Sequence, residues 1–250
     1  LAGHPKLGDL VLDASKITDA SMPVLAGLPA LTSLDISSTK ITGAGLAALS
    51  ASKSLRRLVI KGCSGLKAHD LATLAQMPSL RELIMDINKF GNGIDGLSGT
   101  NLESLSLMSS GLTDAGAVHL GEIKGLKTLR VWNNDITDAA MPAIGKLTEL
   151  ETLYLDRTKV TDAGLTALAG NLKLKLIDLS VRDTKVSAEK VKALVETINV
   201  ERAKGKKPAL VVSVSMPEAP KAAAATATAV PPPGGNNTAA PVGGHGGTPK

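Results

Sequence analysis

Trp132 and Tyr154 are the only tryptophan and tyrosine in this chain, and Arg130 sits close to the tryptophan in sequence. These are the side-chain types that most often anchor an interface, because each joins a large apolar surface to a polar or charged tip. Groups suited to covalent or metal chemistry are scarcer. Cys63 is the single cysteine, which excludes an internal disulfide framework and a multi-cysteine metal site. No His-Cys arrangement accompanies it, so a buried structural thiol is expected rather than a nucleophile. His69 and His119 lie far apart in sequence and are expected on the solvated surface rather than as a metal pair. Gly205-Lys206-Lys207 lacks the upstream glycine of a phosphate loop and reads as a solvated helix end. Asn236-Asn237-Thr238 matches a glycosylation triplet, a pattern without meaning outside a secretory context. No catalytic residue, cofactor site or metal site is expected.

The elements that hold these side chains must be built from few residue types. The chain has 250 residues, 43% of them apolar, and Phe90, Trp132 and Tyr154 are its whole aromatic complement. Its core must therefore be Leu, Ile, Val, Ala and Met, which suits thin, repeated layers better than one irregular interior. The net charge of +5 is local: Arg202, Lys204, Lys206 and Lys207 supply most of it, and the remainder comes from Lys221 and Lys250 against Glu218. One short cluster without interleaved aromatics is no footprint for nucleic acid, which is not an expected partner. No apolar run approaches the roughly 20 residues of a membrane-spanning helix.

The pattern Leu-x-x-Leu-x-apolar opens at Leu7, Leu31, Leu55, Leu80, Leu102, Leu126, Leu150 and Leu174, at steps of 24, 24, 25, 22, 24, 24 and 24 residues. Chance does not give such spacing. Within a copy, Leu34 and Ile36 alternate with Ser33, Asp35 and Ser37, the period of a short strand. From Ile41 the apolar positions Ile41, Leu46 and Leu49 take helical spacing. That half often reads Thr-Asp-Ala-Gly-Leu, whole at Thr161–Leu165, with Thr or Ser where an N-cap would accept first-turn amides and Asp near the positive helix end. One copy cannot cover its own apolar face, so copies must stack with their strands in a parallel sheet. Strands repeat every ~4.8 Å and packed helices every ~8–10 Å, a mismatch that bends the stack with strands inside. Small residues such as Gly45, Ala48, Gly116, Ala139, Ala140 and Gly164 should let the helical halves approach closely.

On these residues the sequence resembles the leucine-rich repeat family from the start of the chain to about residue 200. Its 24-residue Thr-Asp-Ala-Gly-Leu form is similar to repeats of bacterial, especially planctomycete-like, proteins and is related to the cysteine-containing repeats of F-box adaptors. The resemblance implies an α/β solenoid, a curved right-handed stack with a parallel sheet on the concave face and short helices on the convex face. The family's Asn or Cys position falls on Ser15, Thr39, Cys63, Asn88, Ser110, Asn134, Thr158 and Thr184. There the family hydrogen-bonds the turn backbone. Repeats are expected over 1–185, a capping helix and strand over 186–216, and a disordered Ala/Pro/Gly-rich tail over 217–250. Leu1–Leu7 aligns with Leu25–Leu31, so the chain opens inside a repeat with no N-terminal cap and reads as a fragment or a processed chain.

Such proteins usually bind on the concave face, where outward strand positions form columns. The middle column is Val11, Asp35, Val59, Ile84, Ser106, Arg130, Tyr154 and Asp178; the third is Asp13, Ser37, Lys61, Asp86, Met108, Trp132, Asp156 and Ser180. Arg130, Trp132, Tyr154, Asp156, Met108 and Ile84 are the expected partner-binding residues. The plainer alternative is a solvated sheet with Lys61 facing Asp86 and Arg57 facing Glu82 as cross-strand pairs. The expected function is a non-enzymatic scaffold for a protein or peptide, monomeric or part of a larger chain. One alternative is the recognition part of a larger enzyme or signalling protein, a ubiquitin-ligase adaptor or kinase-linked receptor. Another is an architectural envelope or surface protein.

Overall fold

Short strands form wherever the repeat places an alternating triplet. In the computed structural model, which describes residues 4–178, 185–206, 209 and 213–215, these are β1 (Asp9–Val11), β2 (Ser33–Asp35), β3 (Arg57–Val59), β4 (Glu82–Ile84), β5 (Ser104–Ser106), β6 (Thr128–Arg130), β7 (Thr152–Tyr154), β8 (Leu176–Asp178) and β9 (Ser213–Ser215). They make one parallel sheet in chain order. Register is set by the central residues, Leu10, Leu34, Leu58, Leu83, Leu105, Leu129, Leu153, Ile177 and Val214, which lie side by side. From Leu34 to Ile177 each is fully buried. A slip of one residue would turn the whole column to water, so the apolar pattern itself fixes the pairing.

The second layer is made of α1 (Met22–Ala26), α2 (Gly43–Leu49), α3 (Asp114–Ala117), α4 (Met141–Gly145), α5 (Asp162–Leu165) and α6 (Ala188–Lys204), joined by 3-10 turns. One copy shows the core: Leu31, Leu34, Ile36, Ile41, Leu46 and Leu49 are all solvent-free between the layers. The third and fourth copies depart from the helix expectation and carry only 3-10 turns, Ala68–Gln76 and Asp95–Leu97. Lys67 stands at the cap of the third copy, and the carboxylate of Asp70 takes its amide at 2.7 Å. A shorter 22-residue step then follows.

The turn after most of the described strands is closed by the Asn-position residue, although the solvent-free hydroxyl of Ser15 has no hydrogen-bond partner. Asn88 donates to the carbonyls of Ile60 and Met85 and accepts the amide of Cys63 at 2.8 Å. Asn134 does the same across its own junction, with Leu107, Val131, Ser110 and Leu112. Thr39, Ser110 and Thr158 each donate to the carbonyl three residues back, at 2.7, 2.7 and 2.6 Å. The shorter hydroxyls therefore fasten their own turn, whereas the amides fasten two copies together.

Arg202, grouped by the sequence with the basic cluster, is buried, and its Nη1 donates to the carbonyl of Leu172. It holds α6 against the preceding copy instead of facing solvent with the lysines. Among the described residues no helix is long and apolar enough to cross a membrane. Thr184, Ser180, the tail after 217 and the Asn236 triplet lie outside the described residues, as does most of the expected strand before Ser213.

Candidate functional site

The face opposite the leucine column is built from the middle and third columns, and strand register confirms the middle one from Val11 to Asp178. Arg130 on β6 pairs directly with Tyr154 on β7. Its guanidinium lies over the tyrosine ring, 5.0 Å from the centroid, a cation–π contact. Trp132 follows β6 and is half-buried. Arg130, Trp132, Tyr154, Asp156 and Met108 line one depression of about 380 Å3, together with Asp86, Ser106 and Asp178. The sheet thus gathers five of the six residues singled out from sequence. Ile84 is half-buried two strands before Arg130 and is not part of that lining.

The columns are less exposed than their alternation suggests. Val59 and Ser106 in the middle column, and Ser37, Asp86 and Asp156 in the third, are buried. The reason for the polar ones is backbone demand just beyond each strand, where amides lack a ladder partner. The carboxylate of Asp86 accepts the Ser106 hydroxyl at 2.6 Å and the Met108 amide at 3.0 Å. Ser37 likewise accepts the amide of Lys61 at 3.2 Å. Asp86 is therefore spent on the next copy, and no Lys61–Asp86 ion pair forms among the described residues. Arg57 and Glu82 do pair, at 3.2 Å.

Charge along the flank of this face is mostly neutralised. Glu103 sits between Arg81 and Lys127, and Glu151 pairs with Lys175. The Lys127 hydrogen bond, and then the lysine and arginine charges, hold the Glu103 carboxyl below the usual carboxylate range, while Glu103 raises Lys127 in turn.

Cys63 is buried, its Sγ 3.3 Å from the carbonyl of Ile36. Burial pushes the thiol up, which opposes thiolate formation. His69 is 83% exposed beside Asp70, and His119, two copies further on, lies 3.6 Å from Glu122 of its own turn. Among the described residues no group of three or more His, Cys, Asp or Glu could hold a metal ion.

A structural role that sequence reasoning missed runs along the helical side. The Asp of Thr-Asp-Ala-Gly-Leu was read as favouring its own helix end. In the structure it reaches the next copy: Asp19 accepts the amide and hydroxyl of Thr42, Asp114 those of Thr137, Asp138 those of Thr161 and Asp162 those of Ser187. Asn92 serves Thr113 in the same way. The glycine is part of this device, since a Cβ on Gly45 would strike Asp19 and one on Gly164 would strike Asp138. The threonine caps form at Thr42, Thr137 and Thr161, but not at Thr18 or Thr113. The available signal was an Asp followed 26 residues later by a glycine, as in Asp19 with Gly45 and Asp138 with Gly164.

A leucine-rich repeat family profile matches residues 28–50, 100–121 and 146–169. No curated protein matches the chain. Among solved structures, an internalin from Listeria monocytogenes superposes with a TM-score of 0.57 at 23% identity, over 78% of this chain and 54% of its own. This chain thus spans about half the length of that internalin. Internalin C2 of the same organism gives a TM-score of 0.57 at 20% identity, over 84% of this chain and 80% of its own. Both likenesses concern the fold, which is the one that the sheet, the turn asparagines and the matched copies describe. The fold is that of a leucine-rich repeat protein, and three of its copies match that family's profile.

Proposed function

We propose that this protein is a non-enzymatic scaffold that recognises a protein or peptide on the concave face of its sheet, through Arg130, Trp132, Tyr154, Asp156 and Met108, with Ile84 at the margin. The observation that carries this reading is the single depression shared by the chain's only tryptophan and tyrosine and by Arg130. Large aromatic side chains held half-buried on registered strands lose little conformational freedom on binding, so a partner's side chain meets a preformed surface. Asp86, locked by Ser106 and Met108, forms a fixed floor beneath it. The raised Cys63 thiol and the separated histidines support a binding role over a catalytic one.

The test is selection of peptides from a random display library against the whole chain, followed by affinity measurements on variants. Trp132→Ala with Tyr154→Ala should weaken the selected peptides about 30-fold or more, the scale of a hot spot, with an unchanged circular dichroism spectrum. Undiminished affinity in that folded variant would remove this face from the function.

A further inference from the structure

Among the described residues, each turn after β1 to β7 contains a residue with a left-handed backbone soon after the strand: Ala14, Ser38, Gly62, Ile87, Ser109, Asn133 and Arg157, with φ between 50° and 60°. Ile87 is the poorest fit, because a β-branched side chain there crowds its own backbone. It gains nothing from burial in return, being 60% exposed. A strained apolar residue left in water points to a use for its side chain outside the fold.

Its surroundings say what would use it. Ile87 lines a second cavity, of about 440 Å3, with Cys63, Leu66, Lys67, Lys89 and Phe90. This cavity opens where the Asp–Thr bridges are interrupted, since Gly43 and Ala68 occupy the Asp position and Lys67 the Thr position. Lys16, Lys40 and Lys89 occupy equivalent positions after the turn residue of their copies, and with Lys67 they are exposed. None of them forms an ion pair among the described residues, whereas Lys127, Lys159, Lys173 and Lys175 all do. The nearby Asp70 carboxylate is engaged by the Lys67 amide and His69.

We propose that this turn edge is a second docking surface, separate from the concave depression, for an acidic protein segment that seats one apolar side chain between Ile87 and Phe90. Lys67 and Lys89 flank that seat and meet carboxylates on either side, while Lys40 and Lys16 extend the positive edge along the array. Charge draws the segment in and the apolar seat fixes its register.

The test uses the full chain and synthetic fluorescent peptides carrying Leu or Phe between Asp and Glu residues. Matched sets replace the acids by Asn and Gln, replace them by Lys and Arg, or replace the apolar residue by Ser. The acidic apolar set should bind at least about tenfold tighter than every other set, and more weakly as salt rises. Ile87→Gly should raise thermal stability yet weaken that set about tenfold, Lys67→Glu with Lys89→Glu should abolish its binding, and Trp132→Ala with Tyr154→Ala should leave it intact. Equal binding of the neutral or Ser-containing sets, or full affinity in Ile87→Gly, would overturn the proposal. Loss of binding in the tryptophan and tyrosine variant would overturn it too, by assigning these peptides to the concave face.

Discussion

From Asp114 to Ser187 each copy is fastened to the next by a carboxylate that takes both the amide and the hydroxyl of the following cap residue. From Gly43 to Gly91 the same positions hold Gly43, Lys67, Ala68 and Gly91, and that device is missing until Asn92 restores it with Thr113. The strand side does not register the change, since Leu58, Leu83 and Leu105 are as fully buried as Leu129 and Leu153. The helical side does: α-helical turns give way to 3-10 turns, and a cavity opens beside a strained Ile87. The sheet and its leucines are thus sufficient for stacking. The Asp–Thr bridges decide how regular the outer layer is, and where they stop the chain is free to place a surface that the repeat does not dictate.

The sharpest way to break this contrast is to destroy a bridge through its glycine. Gly164→Val should drive a side chain into Asp138 and Met141 and cost roughly 3 kcal/mol. Denaturant unfolding that shows less than about 1 kcal/mol would mean the helical side yields and the bridge does little. Next in size, Asp138→Ala should cost about 2 kcal/mol by stranding the Thr161 amide and hydroxyl. Asp70→Ala, in the unbridged region, removes one amide contact and should cost about 1 kcal/mol; equal losses at the two sites would erase the distinction between the regions. Ile87→Gly should stabilise the protein by about 1 kcal/mol through relief of the left-handed strain, and a lower melting temperature would show that Ile87 is held by packing after all.

The smallest effect is pH-dependent. The Ser187 amide, and then its hydroxyl, hold the Asp162 carboxyl below the ordinary aspartate range. The unfolded chain therefore takes up this proton more readily than the folded one. The bridge contributes fully above the unfolded value, about pH 4, and its contribution is lost as pH falls through the lower folded value. Hydrogen exchange at the start of α6 should quicken in that acid window in the natural protein and show no such dependence in Asp162→Asn. Identical profiles would detach the shift from the bridge.

Much of this molecule could be read directly from residue order. Eight leucine registers, the central buried column and the gathering of Arg130, Trp132 and Tyr154 on neighbouring strands all follow from a two-residue period repeated about every 24 residues. Ile84 illustrates the limit: its column was right, but a depression depends on which neighbours leave space, and that is a property of packed volumes. Asp86 illustrates another, because its charge suggested a pairing with Lys61, while its true partners, Ser106 and Met108, lie on the other neighbouring copy.

By itself the sequence determined the repeat, the parallel order of strands and which faces are apolar, because these depend on periods along the chain. Only the tertiary structure decided where each carboxylate goes, which columns are buried and where strain sits. Those outcomes depend on distances between copies about 24 residues apart in sequence but adjacent in space, and a hydrogen bond of under 3 Å is settled by that adjacency, not by the period.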